Sequence, residues 1–207
     1  MKLGIQEVIN WLEKTNEKIQ KNKEYLTSLD QAIGDGDHGI NMSRGFQEVI
    51  GKITSTSYNS VEDLLKDVAM TLLSKVGGAS GPLYGTAFLK MSVSVKGKEA
   101  MDKQALENAL EDALNGILQR GKAQLGDKTL VDVWTPVVEL FKNENVVESF
   151  SLEEISRNAM ESTKDVMAKK GRAAYLKERS IGHLDPGSVS SHYLFASLAE
   201  VLKEGEE

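Results

Sequence analysis

Within the stretch "LDQAIGDGDHGINMSRGF", ten positions carry Asp30, Asp35 and Asp37, three glycines and His38. A single Asp beside Gly is most often a turn or cap residue. Three of them at a helix start exceed the roughly half charge that a helix N-terminus can offset. A hard divalent cation such as Mg²⁺, which takes carboxylate oxygens and completes its shell with water and phosphate, would resolve the repulsion. A calcium EF-hand is excluded. It needs Gly at loop position six and Glu at twelve, where counting from Asp30 finds Asp35 and Asn41, and counting from Asp35 finds Ile40 and Phe46.

A second chemical feature is "VGGASGP", which offers backbone N–H groups at Gly77, Gly78, Ala79 and Ser80 just before a helix whose Pro82 suits the first turn. It reads either as a phosphate cradle or as a plain glycine-rich connection. "GKAQLGDKT" is not a Walker A loop, because Asp127 separates Gly126 from Lys128 and a helix precedes it. The spacing G-x-G-x-x-G does occur, at Gly34, Gly36 and Gly39, but no strand or βαβ pattern precedes it, so it is not a dinucleotide-binding fingerprint. His38 follows the acids, and its alternatives are a structural hydrogen bond or a contact to phosphate. His192 falls inside the last helix, and nothing beside His183 assigns it chemistry. Arg172, after Gly171, is the best charged contact to a phosphate, whereas Trp11 and Trp134 lie on helical faces and read as core. Three carboxylates beside a nucleoside diphosphate would total a charge of about −6 at short range, and two Mg²⁺ reduce it to about −2. The acids therefore imply metal, and metal with glycine cradles implies a phosphorylated ligand.

The elements that must position these groups are helical. Apolar residues recur at helical spacing in eight segments. These are Ile5 to Ile19, Met42 to Ile53, Val61 to Leu72 with Ser60 as N-cap, and about Pro82 to Val95. They continue with Leu106 to Leu118, roughly Thr129 to Lys142 with Pro136 shifting its start or kinking it, Ser151 to about Lys170 opened by a Ser151/Glu154 capping box, and Gly187 to Lys203. No strand alternation interrupts them, so the fold class is all-α. Short connections favour an antiparallel up-and-down order. In that order the odd connections, "LDQAIGDGDHG", "KVGGASGP", "RGKAQLGDKT" and "KKGRAAYLKERSIGHLDPG", share one end. All glycine clusters and the acidic trio lie there, and the even connections are featureless.

The 207 residues suit one domain, 1–207, with a core large enough to need no staples. The absence of cysteine removes disulfides, thiolate metal sites and Cys nucleophiles. A net charge of −6 argues against nucleic-acid and anionic-membrane surfaces. The N-terminus does not read as a signal peptide, and no run reaches the ~20 apolar residues of a membrane helix. A cytoplasmic location is expected.

Taken together, "GDGDHGINMSRGF", "TLLSKVGGASGPLYGTAF", "RGKAQLGDKTLVDVW" and "GRAAYLKERSIGHLDPGS" resemble the nucleotide-binding L subunits of bacterial dihydroxyacetone kinases, in order and over nearly the whole chain. The resemblance implies an eight-helix antiparallel barrel with the nucleotide site at one end, and tightly bound ADP/ATP with two Mg²⁺ on Asp30, Asp35 and Asp37. It implies nucleotide contacts from His38, Gly39, Ile40, Asn41, Ala79, Ser80, Gly121, Leu130, Arg172, Asp185, Pro186 and Gly187. It assigns no covalent nucleophile to this chain, because the substrate dihydroxyacetone is held by a histidine of a partner K subunit. A free-standing L chain is typical of the phosphotransferase-system-linked type, in which a phosphohistidine-carrying M subunit recharges bound ADP. Alternatives are an ATP-dependent dihydroxyacetone or related sugar kinase with exchangeable ATP, and a nucleotide-dependent regulatory module. The related fatty-acid kinase domain usually carries "GDTGTNM", and His38 here argues against it. A homodimer is one assembly that the sequence leaves open.

Overall fold

The computed structural model describes residues 2–205. Among them are nine α-helices: α1 Ile5–Lys21, α2 Lys23–Ile33, α3 His38–Thr54, α4 Val61–Lys75, α5 Ser80–Ser94, α6 Lys103–Gly121, α7 Val131–Asn143, α8 Ser149–Ser162 and α9 Pro186–Glu204. The only extended pairing among the described residues is one antiparallel bridge between Leu3 and Met101. The all-α expectation holds.

The count of eight becomes nine because the first helix does not stop near Ile19. It breaks at Asn22, which is at once the C-cap of α1 and the N-cap of α2. Since α2 carries the chain onward with only this one-residue break, the alternation of the remaining helices is preserved. Both α1 and α2 pack on α3. Each later helix packs on the next in chain order, and α9 returns to α1.

Two other boundaries differ. The helix expected to run to about Lys170 ends at Ser162 and gives way to a strap, residues 163–185, built of 3₁₀ turns at Thr163–Asp165 and Arg172–Ser180. The expected Ser151/Glu154 capping box does not open that helix. Ser151 lies within α8, whose N-cap is Glu148. By contrast, Ser60 caps α4 as expected, its Oγ accepting from the Asp63 N–H at 3.1 Å. Pro136 lies inside α7, which begins at Val131.

The core is a continuous cluster drawn from all the helices, with α9 the most deeply buried. Two tryptophans fix it. Trp11 packs on Phe88 and donates its Nε1–H to the Leu194 carbonyl at 2.8 Å. Trp134 packs edge-on against Phe195 with centroids 4.9 Å apart. Both are core residues, as their helical positions suggested. Fully burying such aromatic and aliphatic side chains stabilises the fold by about 1.5–3 kcal/mol each relative to exposure.

Candidate functional site

The four odd connections meet. A cavity of about 760 Å³ is lined by Asp30 to Asn41, Gly77 to Leu83, Ile117 to Val131 and Lys170 to Gly187, with gaps in each run. Four helices, α3, α5, α7 and α9, begin at this end. Each N-terminus presents unpaired N–H groups and a partial positive charge.

Three of these N-termini are already matched by a carboxylate of the chain. Asp30 is on α2 and 8% exposed, and its Oδ2 accepts the N–H of Asp37 at 2.8 Å and of His38 at 3.0 Å, at the head of α3. Asp132 accepts from Gly126 N–H at 2.6 Å and Thr129 N–H at 2.7 Å ahead of α7. Asp185 caps α9 by accepting the Ser188 N–H at 2.6 Å. The head of α5 differs. It has Ala79 at its N-cap, no side-chain cap and no acid in its first turn. Gly78 before it adopts φ +64°, a left-handed conformation that favours glycine. This leaves the Gly78–Ala79–Ser80 backbone as the anion-seeking wall of the cavity.

The acidic trio gathers as the sequence suggested. One ligand atom from each of Asp30, Asp35 and Asp37 lies within 4.8 Å of the others. With Asp30 Oδ2 occupied by backbone donors, Asp30 is both a cap for α3 and a member of the cluster. The turn-and-cap explanation therefore holds for Asp30, which remains one of the three carboxylates that a metal could use. A Cβ built at Gly34 would collide with the Asp30 carboxylate, so the turn closes over that side chain only because residue 34 is glycine. Asp35 is exposed and pairs with Arg172 at 2.9 Å. This guanidinium, itself mostly exposed, offsets part of the charge of the acidic cluster. The donor set, three carboxylates with open positions toward the cavity, fits Mg²⁺.

His38 is buried, with Nε2 3.0 Å from Ser190 Oγ and Nδ1 3.1 Å from Ser80 Oγ. Burial pushes the imidazole down to about 4, against the opposing pull of Asp30, so it is neutral near pH 7. Both ring nitrogens are engaged, and the ring therefore ties the Ser80 hydroxyl to Ser190. Behind it, Ser190 joins Tyr84 Oη at 2.8 Å, which meets Ser191 Oγ at 2.7 Å, and Trp134 Nε1–H donates to Ser191 at 3.1 Å. A polar chain thus runs from the cavity wall into the core. Its members beyond His38 and Ser80 lie on helical faces that read as ordinary core, and no sequence signal marked them.

Asn41 lines the cavity with its Oδ1 held by Arg44 Nη2 at 2.9 Å, which turns the amide donors away from Arg44. Ala79, Ser80, Gly121, Leu130, Arg172, Asp185, Pro186 and Gly187 all line the cavity. Gly39 and Ile40 do not. Gly39 is pressed on the Lys23 carbonyl and Thr27 of α2, and Ile40 is 47% exposed. Their N–H groups belong to the first turn of α3, which leaves them free of intrahelical acceptors. Burial raises the Asp185 carboxyl to about 7 despite the Ser188 N–H. Lys128, in the rejected Walker-like stretch, also lines the cavity, but its ammonium is fully engaged. It donates to carbonyls of the strap. His192 is buried, with Nδ1 3.0 Å from Ser156 Oγ, and His183 is exposed and contributes its carbonyl to Lys128.

Fold and site define an all-helical domain that gathers an acidic cluster and an uncapped helix N-terminus around one cavity at one end. The chain belongs to the DAK2 domain family, which matches residues 32–200. It is 48% identical over 192 residues to the ADP-binding subunit of PEP-dependent dihydroxyacetone kinase 1 of Listeria innocua, covering 93% of this chain and 94% of that one. It is also 48% identical over 200 residues to the ADP-binding subunit of the PTS-dependent dihydroxyacetone kinase of Lactococcus lactis, covering 97% and 99%. These relatives are kinase subunits by name. The fold resembles the crystal structure of the C. freundii dihydroxyacetone kinase in complex with AMP-PNP and Mg²⁺, with TM-score 0.73 and 21% identity, over 93% of this chain and 33% of that one. Among the described residues no helix is long and apolar enough to cross a membrane.

Proposed function

We propose that this chain is the ADP-binding subunit of a phosphoenolpyruvate-dependent dihydroxyacetone kinase, a single cytoplasmic L-type domain in an antiparallel barrel. The observation that carries the reading is the Asp30, Asp35 and Asp37 cluster at a cavity whose α5 wall has no carboxylate of its own. Bound ADP with two Mg²⁺ would supply the phosphoryl carrier and neutralise the charge spread over the phosphates during in-line transfer. Asp30, Asp35 and Asp37 would hold the metal. Gly78, Ala79 and Ser80 would face the phosphates with N–H groups, and His38 would aim the Ser80 hydroxyl. The N–H groups of Gly39 and Ile40 and the Asn41 amide would complete that side. Arg172 would trade Asp35 for phosphate, and Gly121, Leu130 and the Asp185–Pro186–Gly187 turn would line the remainder of the nucleotide.

In this reading the phosphoryl group passes from a phosphohistidine on an M subunit, through the nucleotide, to dihydroxyacetone held on a K subunit, with no covalent step on this chain. The names and near full-length coverage of the bacterial relatives support the phosphoenolpyruvate-linked type over a kinase with exchangeable ATP. Mixing the chain with K and M subunits, phosphoenolpyruvate and its general phosphotransfer proteins tests it. Dihydroxyacetone phosphate should form with catalytic ADP and no added ATP. Turnover only with stoichiometric ATP would favour the exchangeable-ATP type, and no turnover with either would favour a regulatory module.

A further inference from the structure

The strap that carries Arg172 and Asp185 spans residues 163–185 and makes one wall of the cavity. At its foot sits Lys128, 1% exposed, with its backbone in the left-handed region at φ +62°. That conformation is uncommon for a side-chain-bearing residue and persists only where its surroundings require it. At Lys128 it coincides with an ammonium held on three sides. Nζ donates to the carbonyls of Thr163 at 2.6 Å, Val166 at 3.0 Å and His183 at 2.5 Å. An ammonium has three donors, and all three are used.

Two of those carbonyls belong to the start of the strap and the third to its end. Lys128 therefore pins both feet of one loop, and the loop's far side reaches Asp35 through Arg172 at 2.9 Å. Neighbouring bonds run the same way. Gly182 N–H donates to the Lys164 carbonyl at 2.7 Å, and Lys169 N–H to the Asp127 carbonyl at 3.1 Å. No carboxylate lies within ion-pair distance of the ammonium among the described residues, although Asp132, Asp165 and Asp185 are near enough to favour its charge. A fully buried lysine without a direct carboxylate partner is costly. An apolar side chain there would leave the Thr163, Val166 and His183 carbonyls without this donor, so the charge is spent on holding them in place.

We infer that Lys128 is a positioning residue whose buried ammonium locks the 163–185 strap across the cavity and so sets how long the nucleotide stays bound. The inference rests on the reading that the cavity holds ADP. It adds the device that slows ADP release.

The chain contains no cysteine, so Lys128→Cys gives a single alkylation site. The variant is unfolded, treated with 2-bromoethylamine or with 1-bromopropane, and refolded with ADP and Mg²⁺. The two products have side chains of equal heavy-atom length and differ only in ending in an ammonium or a methyl. Both pass through the same refolding, so differences report the charge and its donors. Release of labelled ADP and hydrogen exchange at 163–185 are measured for both forms and for unmodified protein. The ammonium form should match the unmodified protein. The methyl form should release ADP at least about tenfold faster, with faster exchange confined to the strap. Equal ADP release and equal strap exchange in the two alkylated forms would overturn the inference. If the unmodified protein itself retains no ADP, the nucleotide reading fails. The exchange comparison without ligand then still decides whether Lys128 locks the strap.

Discussion

Asp30 and Asp35 sit in the same cluster yet should differ sharply in what their removal costs the metal-free protein. In Asp30→Ala, the N–H groups of Asp37 and His38 lose their acceptor. The His38 donor is buried and the Asp37 donor part-buried, so water can replace the carboxylate only at the second. An unsatisfied buried donor costs about 1–3 kcal/mol, and with partial rescue at Asp37 the total is about 2–4 kcal/mol. For a domain of this size that is a fall in Tm of roughly 5–15 °C. Asp35 instead pairs with an Arg172 side chain that is 68% exposed. Such a pair contributes about 0–1 kcal/mol, so Asp35→Ala should lower Tm by less than about 4 °C. Scanning calorimetry with chelator and no nucleotide makes the comparison, and isothermal titration with Mg²⁺ and ADP follows. Both variants should lose Mg²⁺-dependent ADP binding. Asp30→Asn, which keeps a carbonyl acceptor, should recover much of the stability but not the binding. Equal Tm losses for the two alanine variants would refute the division of Asp30 between cap and ligand.

Two further outcomes are expected. Arg172→Ala should weaken ADP binding in the presence of Mg²⁺ by about tenfold or more with little change in apo stability, because a charge-assisted contact is lost from an exposed side chain; isothermal titration checks it. His192, away from the cavity, is pushed down to about 4 mainly by burial. The unfolded imidazole takes up a proton near pH 6.5 and the folded one only near 4. The stability from its neutral burial is therefore present above pH 6.5 and lost as pH falls toward 4. His192→Gln should flatten that limb of a Tm-against-pH profile. An unchanged slope would place the acid sensitivity elsewhere.

The assignment of the site to one end of the bundle was legible because it depended on alternation, and alternation survived a missed helix. The segment Lys23–Ile33 does carry Leu26, Leu29 and Ile33 at helical spacing, but it is short, follows α1 after one residue and runs directly into the acidic motif, so it reads as part of the connection. Its one-residue junction at Asn22 added no reversal of direction. The overrun past Ser162 has the opposite cause. Val166, Met167 and Ala168 continue an apolar pattern, and the helix ends where Lys128, distant in sequence, takes the Thr163 and Val166 carbonyls. A tertiary contact of that kind leaves no local signal. The aspartates and glycines were readable because their chemistry is in their type and spacing. The Ser80–His38–Ser190–Tyr84–Ser191 chain was not, because serines and a tyrosine on buried helix faces carry no mark of the partner they will meet.

The central claim is that three aspartates and four convergent connections hold a metal–nucleotide complex. Native mass spectrometry of the chain purified with Mg²⁺ and without added nucleotide tests it most directly. The account predicts a mass increment equal to one ADP with two Mg²⁺, lost on denaturation and absent from Asp35→Asn. A folded wild-type chain with no bound nucleotide, or Asp35→Asn retaining it at the wild-type level, would contradict the account.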